Sequence, residues 1–156
     1  VGLGSNMGDR EATLTAAVVL LRGCFGGLAV SRLYESEPQY DHNQRRFLNA
    51  VAGGPTQLGP FELLDRLLAI EKRFARRRDV ERPKGPRTLD LDLLLYRDWI
   101  VHHPRLALPH PGMVERAFVL IPLVELDPAV RDPRTGITFA TYLSQADSEG
   151  IYPITS

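Results

Sequence analysis

Leu89-Asp90-Leu91-Asp92-Leu93 alternates strictly between a large apolar side chain and a carboxylate. On a β-strand the side-chain period is two, so Leu89, Leu91, Leu93 and Leu95 point to one side and Asp90 and Asp92 to the other. Burying the leucine row against helices fixes the register, because a slip of one residue would drive both carboxylates into the core. Residues 88–96 are therefore expected to form the clearest strand of the chain.

The other elements follow from period and punctuation. Residues 1–4 read as a strand end. Asp9 can cap a helix over 10–22, where Leu14, Ala17, Val18 and Leu21 share a face and Gly23 provides the stop. Residues 28–35 and 47–52 read as strands, the second with Phe47, Asn49 and Val51 on one side. Residues 37–46 are polar and read as a mobile loop. Pro60 suits the first turn of a second helix whose apolar stripe is Leu63, Leu67, Ile70 and Phe74. A short helix is expected from about 112, another stretch over 118–126 that Pro122 kinks or restarts, and a last one near 139–146. The order βαββαβ, with helices of similar length, predicts an α+β sandwich of ferredoxin-like type, a mainly antiparallel sheet with helices packed on it. The 156 residues are read as one domain, 1–156.

Charge narrows the classes of partner. Nineteen basic residues balance nineteen acidic ones, so no global field favours nucleic acid or an anionic membrane. The basic excess is local, lying between Glu71 and Arg87 with Lys72, Arg73, Arg76, Arg77, Arg78, Arg82 and Lys84. Any phosphate binding should be local to it. No apolar run approaches the roughly 20 residues of a membrane span. Cys24 is the single cysteine, which excludes an intrachain disulfide and a cysteine metal site and fits a reducing compartment, so a cytoplasmic location is expected. The chain opens on Val1 rather than Met, which leaves room for an earlier start and a longer first strand.

Two parallel carboxylates on a rigid strand suit magnesium, which prefers hard oxygen ligands and leaves positions for water and phosphate. Asp-x-Asp by itself also fits a solvated polar face, and Arg76–Arg78 by itself also fits a solvated helix end. The flanks favour chemistry: Gly85-Pro86-Arg87-Thr88 joins a stiff turn and a cation to the acidic pair.

The stretch from Gly85 to Leu93 resembles the signature of the 6-hydroxymethyl-7,8-dihydropterin pyrophosphokinases of folate biosynthesis, which transfer diphosphate from ATP to a pterin alcohol. The resemblance continues through Gly4-Ser5-Asn6, Phe47-Leu48-Asn49-Ala50, Leu108-Pro109-His110-Pro111 and Arg116-Ala117-Phe118, and adds little after about residue 128. It implies a transferase that uses ATP as co-substrate and two magnesium ions held by Asp90 and Asp92, with the pterin hydroxymethyl oxygen attacking the β-phosphorus and AMP leaving. It implies catalytic roles for Arg76, Arg82 and Arg87, and an ATP site drawn from Glu71, Arg76, Arg78, Arg82, Arg87, Leu93, Arg105, His110 and Arg116. It implies that Phe47 and Phe118 clamp the pterin ring, while Asn49, Ser36 and the backbone of Pro38 and Gln39 read its edge. Residues 76–87 are expected to act as a lid. His102 and His103 are read as surface residues, and His42 is unassigned.

The sequence departs from the family pattern in a loop one residue longer after Arg78, in Pro83-Lys84 where many relatives carry a tryptophan, and at Leu68, Ala107 and Pro111. Two rival functions are weaker. An RNA-binding module lacks its aromatic signature, and the acidic pair would repel phosphate without metal. A regulatory domain would not need the acidic pair. No nucleic acid or membrane partner is expected, and the protein is expected to be a monomer.

Overall fold

The computed structural model describes residues 1–38, 45–75 and 88–154. Strand β1 (Gly2–Ser5) leads into helix α1 (Arg10–Leu21), where Asp9 Oδ1 accepts a hydrogen bond from Ala12 N at 3.0 Å and so caps the first turn. Strands β2 (Ala29–Val30) and β3 (Tyr34–Ser36) precede β4 (Phe47–Gly53). Helix α2 (Pro60–Phe74) begins with proline in its first turn, and Glu62 accepts from Gly59 N at 3.3 Å. Strand β5 is Asp90–Asp92, and a hairpin of β6 (Val101–His103) and β7 (Leu106–Leu108) follows. Helices α3 (Ala117–Leu126) and α4 (Phe139–Gln145) and strand β8 (Tyr152–Pro153) complete the described chain.

The main sheet has the order β5-β1-β4-β3-β8, with β2 also paired to β4, and every described pairing in it is antiparallel. Strands β5-β1-β4-β3 carry the expected ferredoxin-like βαββαβ arrangement, with α1 and α2 on one face. There Leu3, Leu48, Leu89, Leu91 and Leu93 pack with Leu14, Ala17, Leu21, Leu63, Leu67 and Ile70. The opposite face buries Val51 and Leu94 against Met113, Val119, Leu120, Leu123 and Phe139 of the C-terminal half. Phe74, expected in the α2 stripe, is only partly buried.

Several sequence expectations need correction. The strand expected over 88–96 is regular only from Asp90 to Asp92, because its ladder with β1 runs Gly4–Asp90, Leu3–Leu91 and Gly2–Asp92 and then ends. Beyond it the chain turns: Tyr96 donates its hydroxyl to Leu58 O at 2.5 Å, and Arg97 takes φ 52. Leu95 therefore packs with the second cluster instead of extending the leucine row.

The strand expected over 28–35 is interrupted by a bulge. Three residues separate Val30 from Tyr34, whereas two separate Asn49 from Ala52 opposite them. Ser31 bridges the break, its Oγ accepting from Val51 N at 3.0 Å and its own amide donating to Val51 O at 2.9 Å. Pro122 does not restart a helix, because α3 runs from Ala117 to Leu126 with the proline buried inside it. The turn near 112 is a short 3-10 segment, Met113–Glu115. The β6–β7 hairpin and β8 had no periodic signal long enough to reveal them.

Candidate active site

One row of residues crosses four strands in register: Asp90 on β5, Gly4 on β1, Asn49 on β4 and Tyr34 on β3. All four address the same sheet face, opposite the leucine core. The next row is Asp92–Gly2–Val51, and Phe47 pairs with Ser36 on the other side of Asn49. Asp90 and Asn49 are two strand spacings apart, about 10 Å. Between them lies Gly4, with no side chain. A methyl group placed there would lie 3.5 Å from Asn49 Oδ1, 3.7 Å from the Phe47 ring and 3.9 Å from Asp90 Cβ. Gly4 is thus the floor shared by the acidic pair, the amide and the aromatic ring.

The carboxylates sit on the rim of this floor. Asp90 is half-buried and Asp92 exposed. His110 approaches from the segment after β7, its backbone amide donating to Leu94 O at 2.9 Å and its Nε2 lying 4.0 Å from Asp92 Oδ1. Glu71 Oε2, near the end of α2, accepts from Leu91 N at 2.8 Å. That amide belongs to the residue between the two aspartates, so α2 holds the strand that presents them. Among the described residues no cluster of three or more His, Cys, Asp or Glu could cage a metal ion. Two carboxylates with an open side fit magnesium, which takes its remaining ligands from water and phosphate.

Asn49 is buried and oriented. Its Nδ2 donates to Ser36 Oγ at 2.7 Å and to Tyr34 O at 3.3 Å. Phe47 is partly exposed on the same strand, and Phe118 is partly buried in the first turn of α3. Pro38 is buried just beyond Ser36. The flank is tied by Glu35, which pairs with Arg10 at 3.0 Å and Arg46 at 3.6 Å.

The remaining expected ligands are dispersed. Arg116 holds the N-cap position of α3, two residues before Phe118, with its guanidinium beside Gly112, whose φ of 83° favours glycine. Arg105 pairs with Asp65 on α2 at 2.5 Å, with no described contact to Asp90, Asp92 or His110. Leu93 lines a cavity of about 260 Å³ together with Val1, Leu63 and Tyr96, at the end of β1 away from Ser5. Arg76, Arg78, Arg82, Arg87 and Gln39 lie outside the described residues, as do His42 and the whole expected lid. His102 and His103 are exposed, as expected; His103 Nδ1 accepts from Arg105 N and its ring meets Phe61 edge-on.

Sequence reasoning missed a cluster behind Asn49. Tyr34 is buried and its hydroxyl donates to Glu125 Oε1 on α3. Arg32, inside the bulge, donates its amide to Glu125 Oε2 at 2.8 Å, its Nε to Oε1 at 3.1 Å and its Nη2 to the Tyr34 hydroxyl oxygen at 3.1 Å. Burial pulls the Glu125 carboxyl upward, but the bonds from Tyr34 and Arg32 outweigh it and hold the group below its usual range. Burial, then the bond to Glu125, pushes the Tyr34 phenol up. No local pattern could have flagged this, since Tyr34 and Glu125 are 91 residues apart.

A model of the 7,8-dihydro-6-hydroxymethylpterin-pyrophosphokinase (HPPK) family matches residues 1–128. The chain is 43% identical over 157 residues to the 2-amino-4-hydroxy-6-hydroxymethyldihydropteridine pyrophosphokinase of Pseudomonas aeruginosa, covering 97% of this chain and 93% of that protein. It is 37% identical over 156 residues to the folic acid synthesis protein fol1 of Pneumocystis carinii, covering 99% of this chain but only 21% of that longer protein. A crystal structure of Plasmodium falciparum HPPK-DHPS superposes with a TM-score of 0.67 at 14% identity, covering 92% of this chain and 42% of that one, which supports the fold.

Proposed function

The chain belongs to the 7,8-dihydro-6-hydroxymethylpterin-pyrophosphokinase family, and we propose that Asp90 and Asp92, Asn49, and the Phe47 and Phe118 rings are its working parts. The family reaction is pyrophosphoryl transfer in folate biosynthesis. The hydroxymethyl oxygen of the dihydropterin forms a bond to the β-phosphorus of ATP. The bond from that phosphorus to the α–β bridging oxygen breaks, AMP leaves with the electron pair, and the hydroxyl proton passes to solvent. The observation that carries the residue assignment is the single row Asp90–Gly4–Asn49, which sets the first carboxylate of the acidic pair and an oriented amide about 10 Å apart over a bare backbone floor.

In this reading Asn49 and Ser36 recognise the heteroatom edge of the pterin, with the Pro38 and Gln39 backbone beside them. Phe47 and Phe118 present ring faces to it. Asp90 and Asp92 would hold magnesium, two ions in all, which when bound neutralises polyphosphate charge and eases loss of the hydroxyl proton. His110, beside Asp92 at the acidic rim, and Arg116 at the start of α3 would meet the nucleotide. Arg76, Arg78, Arg82 and Arg87 would neutralise the phosphates from the arginine-rich segment, and Arg76, Arg82 and Arg87 would act on the transition state. Glu71 and Leu93 would lie beside the adenosine and Arg105 would reach the nucleotide from the opposite side, while Glu71 and Arg105 also have the structural partners described above. Phosphoryl-type transfer needs mainly positioning and charge stabilisation, so no strong general base is required.

The protein is further proposed to act as a single-domain monomer in the cytoplasm, without a nucleic-acid or membrane partner. The balanced charge, which gives no global field for a polyanion, is what disfavours a nucleic-acid partner.

The test is product analysis. ATP, the pterin alcohol and magnesium together should give AMP and the pterin diphosphate in equal amounts, and leaving out any one should stop both. Release of ADP, or AMP formation without the pterin, would refute the assignment.

A further inference from the structure

Glu125 stands two helical turns after Phe118 on α3, so the two side chains lie along nearly the same helix face. Tyr34 touches the proposed pterin edge with one end and this helix with the other. Its carbonyl accepts from Asn49 Nδ2 at 3.3 Å, and its hydroxyl reaches Glu125. Its ring is buried and cannot swing out without opening the face between sheet and helix. The contact is also fully engaged. Glu125 Oε1 takes the Tyr34 hydroxyl and Arg32 Nε, while Oε2 takes the Arg32 amide. That amide lies in the bulge between β2 and β3, outside the strand ladder, so the bulge aims it at α3. The phenol oxygen both donates to the carboxylate and accepts from the guanidinium, closing a ring of three side chains.

Resting on the pterin pocket proposed above, we propose that the Tyr34–Glu125–Arg32 ring is a latch between sheet and helix that sets the gap between Asn49 and Phe118. Tyr34 and Glu125 are then positioning residues for the pterin that do not touch it. The sheet carries the amide that reads the ligand's edge, and the helix carries one ring that covers its face. Any drift of α3 along or away from β4 changes the width of the slot. Charge-assisted bonds are short and directional, so they define this spacing more sharply than apolar packing alone.

The test uses the full chain and the variants Tyr34→Phe, Glu125→Gln and Phe118→Leu, with the double variant Tyr34→Phe/Phe118→Leu. Calorimetric titration gives the affinity for the pterin alcohol with a non-hydrolysable ATP analogue saturating, and separately the affinity for that analogue. Tyr34→Phe should weaken pterin binding about tenfold and leave the nucleotide within about twofold. With Phe118 already replaced, the same change should cost no more than about threefold, because the ring it positioned is gone. Glu125→Gln, which keeps the shape and one acceptor, should act in the same direction and carries the test if Tyr34→Phe does not fold. Unchanged pterin affinity in both latch variants, alongside a loss in Phe118→Leu, would overturn the latch and leave the pocket standing. An equal loss for pterin and nucleotide, or a full tenfold loss in the Phe118→Leu background, would also overturn it, since either marks a general structural role. No loss of pterin binding in Phe118→Leu would refute the pocket and the latch together.

Discussion

Glu71 Oε2 accepts the hydrogen bond of Leu91 N at 2.8 Å, so a carboxylate near the end of α2 grips the one backbone amide that lies between Asp90 and Asp92. Edge strands leave alternate amides without a ladder partner, and this one is taken by a charged acceptor. Glu71→Ala should lower stability by about 1.5–3 kcal/mol, the range for a bond to a charged group. It should also depress turnover by loosening the acidic pair. Glu71→Gln keeps an acceptor and should recover most of the stability. Urea denaturation of the two variants checks the order.

Gly4 separates fold from function. Its added methyl would meet neighbours only at ordinary contact distances, 3.5 Å and beyond, and its backbone is not left-handed. Gly4→Ala should therefore fold, with stability unchanged or raised by about 0.5–1 kcal/mol. The methyl would nonetheless stand on the floor between Asp90 and Asn49. A misplaced ligand should cost about 10²-fold in turnover. Thermal unfolding and a steady-state assay on one preparation decide it, and full activity would show that the ligand does not cross this floor.

Gly54 is the opposite case. A methyl there would lie 1.9 Å from Gly27 O, a backbone atom that cannot swing aside, and Gly26 N donates to Pro55 O at 2.7 Å in the same approach. Gly54→Ala should destabilise by at least about 1–3 kcal/mol, as overpacking does, without a specific effect on either substrate. Chemical denaturation with parallel titrations of both ligands tests this.

Asp92→Asn should reduce turnover by about 10²–10³-fold, the scale of losing one preorganised charge contact. Its side chain is exposed on the sheet face away from the leucines, so stability should stay within about 0.5 kcal/mol. Asp90→Asn should lower turnover similarly. Activity of either variant close to that of the parent across a magnesium titration would remove the acidic pair from the mechanism.

The Glu125 carboxyl is held below its ordinary value of 4.5 in the folded protein, by bonds from Tyr34 and Arg32 that outweigh burial. A depressed carboxyl contributes stability that is fully present above its unfolded pKa and is lost as the pH falls through the folded one. The denaturation midpoint should fall on acidification below about pH 4.5. The gap between parent and Glu125→Gln should shrink over the same window. Asp132, held low against burial by Arg134 and Tyr142, contributes with the same sign in both proteins and so cancels from the difference. A gap that stays constant from pH 7 to pH 3 would contradict the assigned bonding.

Local pattern determined more of this protein than its separate motifs suggest. The two-residue period of Leu89–Leu93 decided which face of β5 is core and which carries carboxylates, because burial of leucine leaves only one register. The 3.6-residue period, with the Asp9 cap and the first-turn proline Pro60, located α1 and α2, and alternation placed Phe47 and Asn49 on one side of β4. What the tertiary structure alone decided depends on how distant segments meet. It joined Asp90, Gly4, Asn49 and Tyr34 in one row, set His110 beside Asp92, and turned Leu95 into the second core. It also placed a bulge where one strand was expected and brought Glu125 onto Tyr34 across 91 residues. The reason is physical: side-chain period is written within a segment, but register between segments is fixed only when their shared core packs, and contacts such as Tyr34–Glu125 follow from that register.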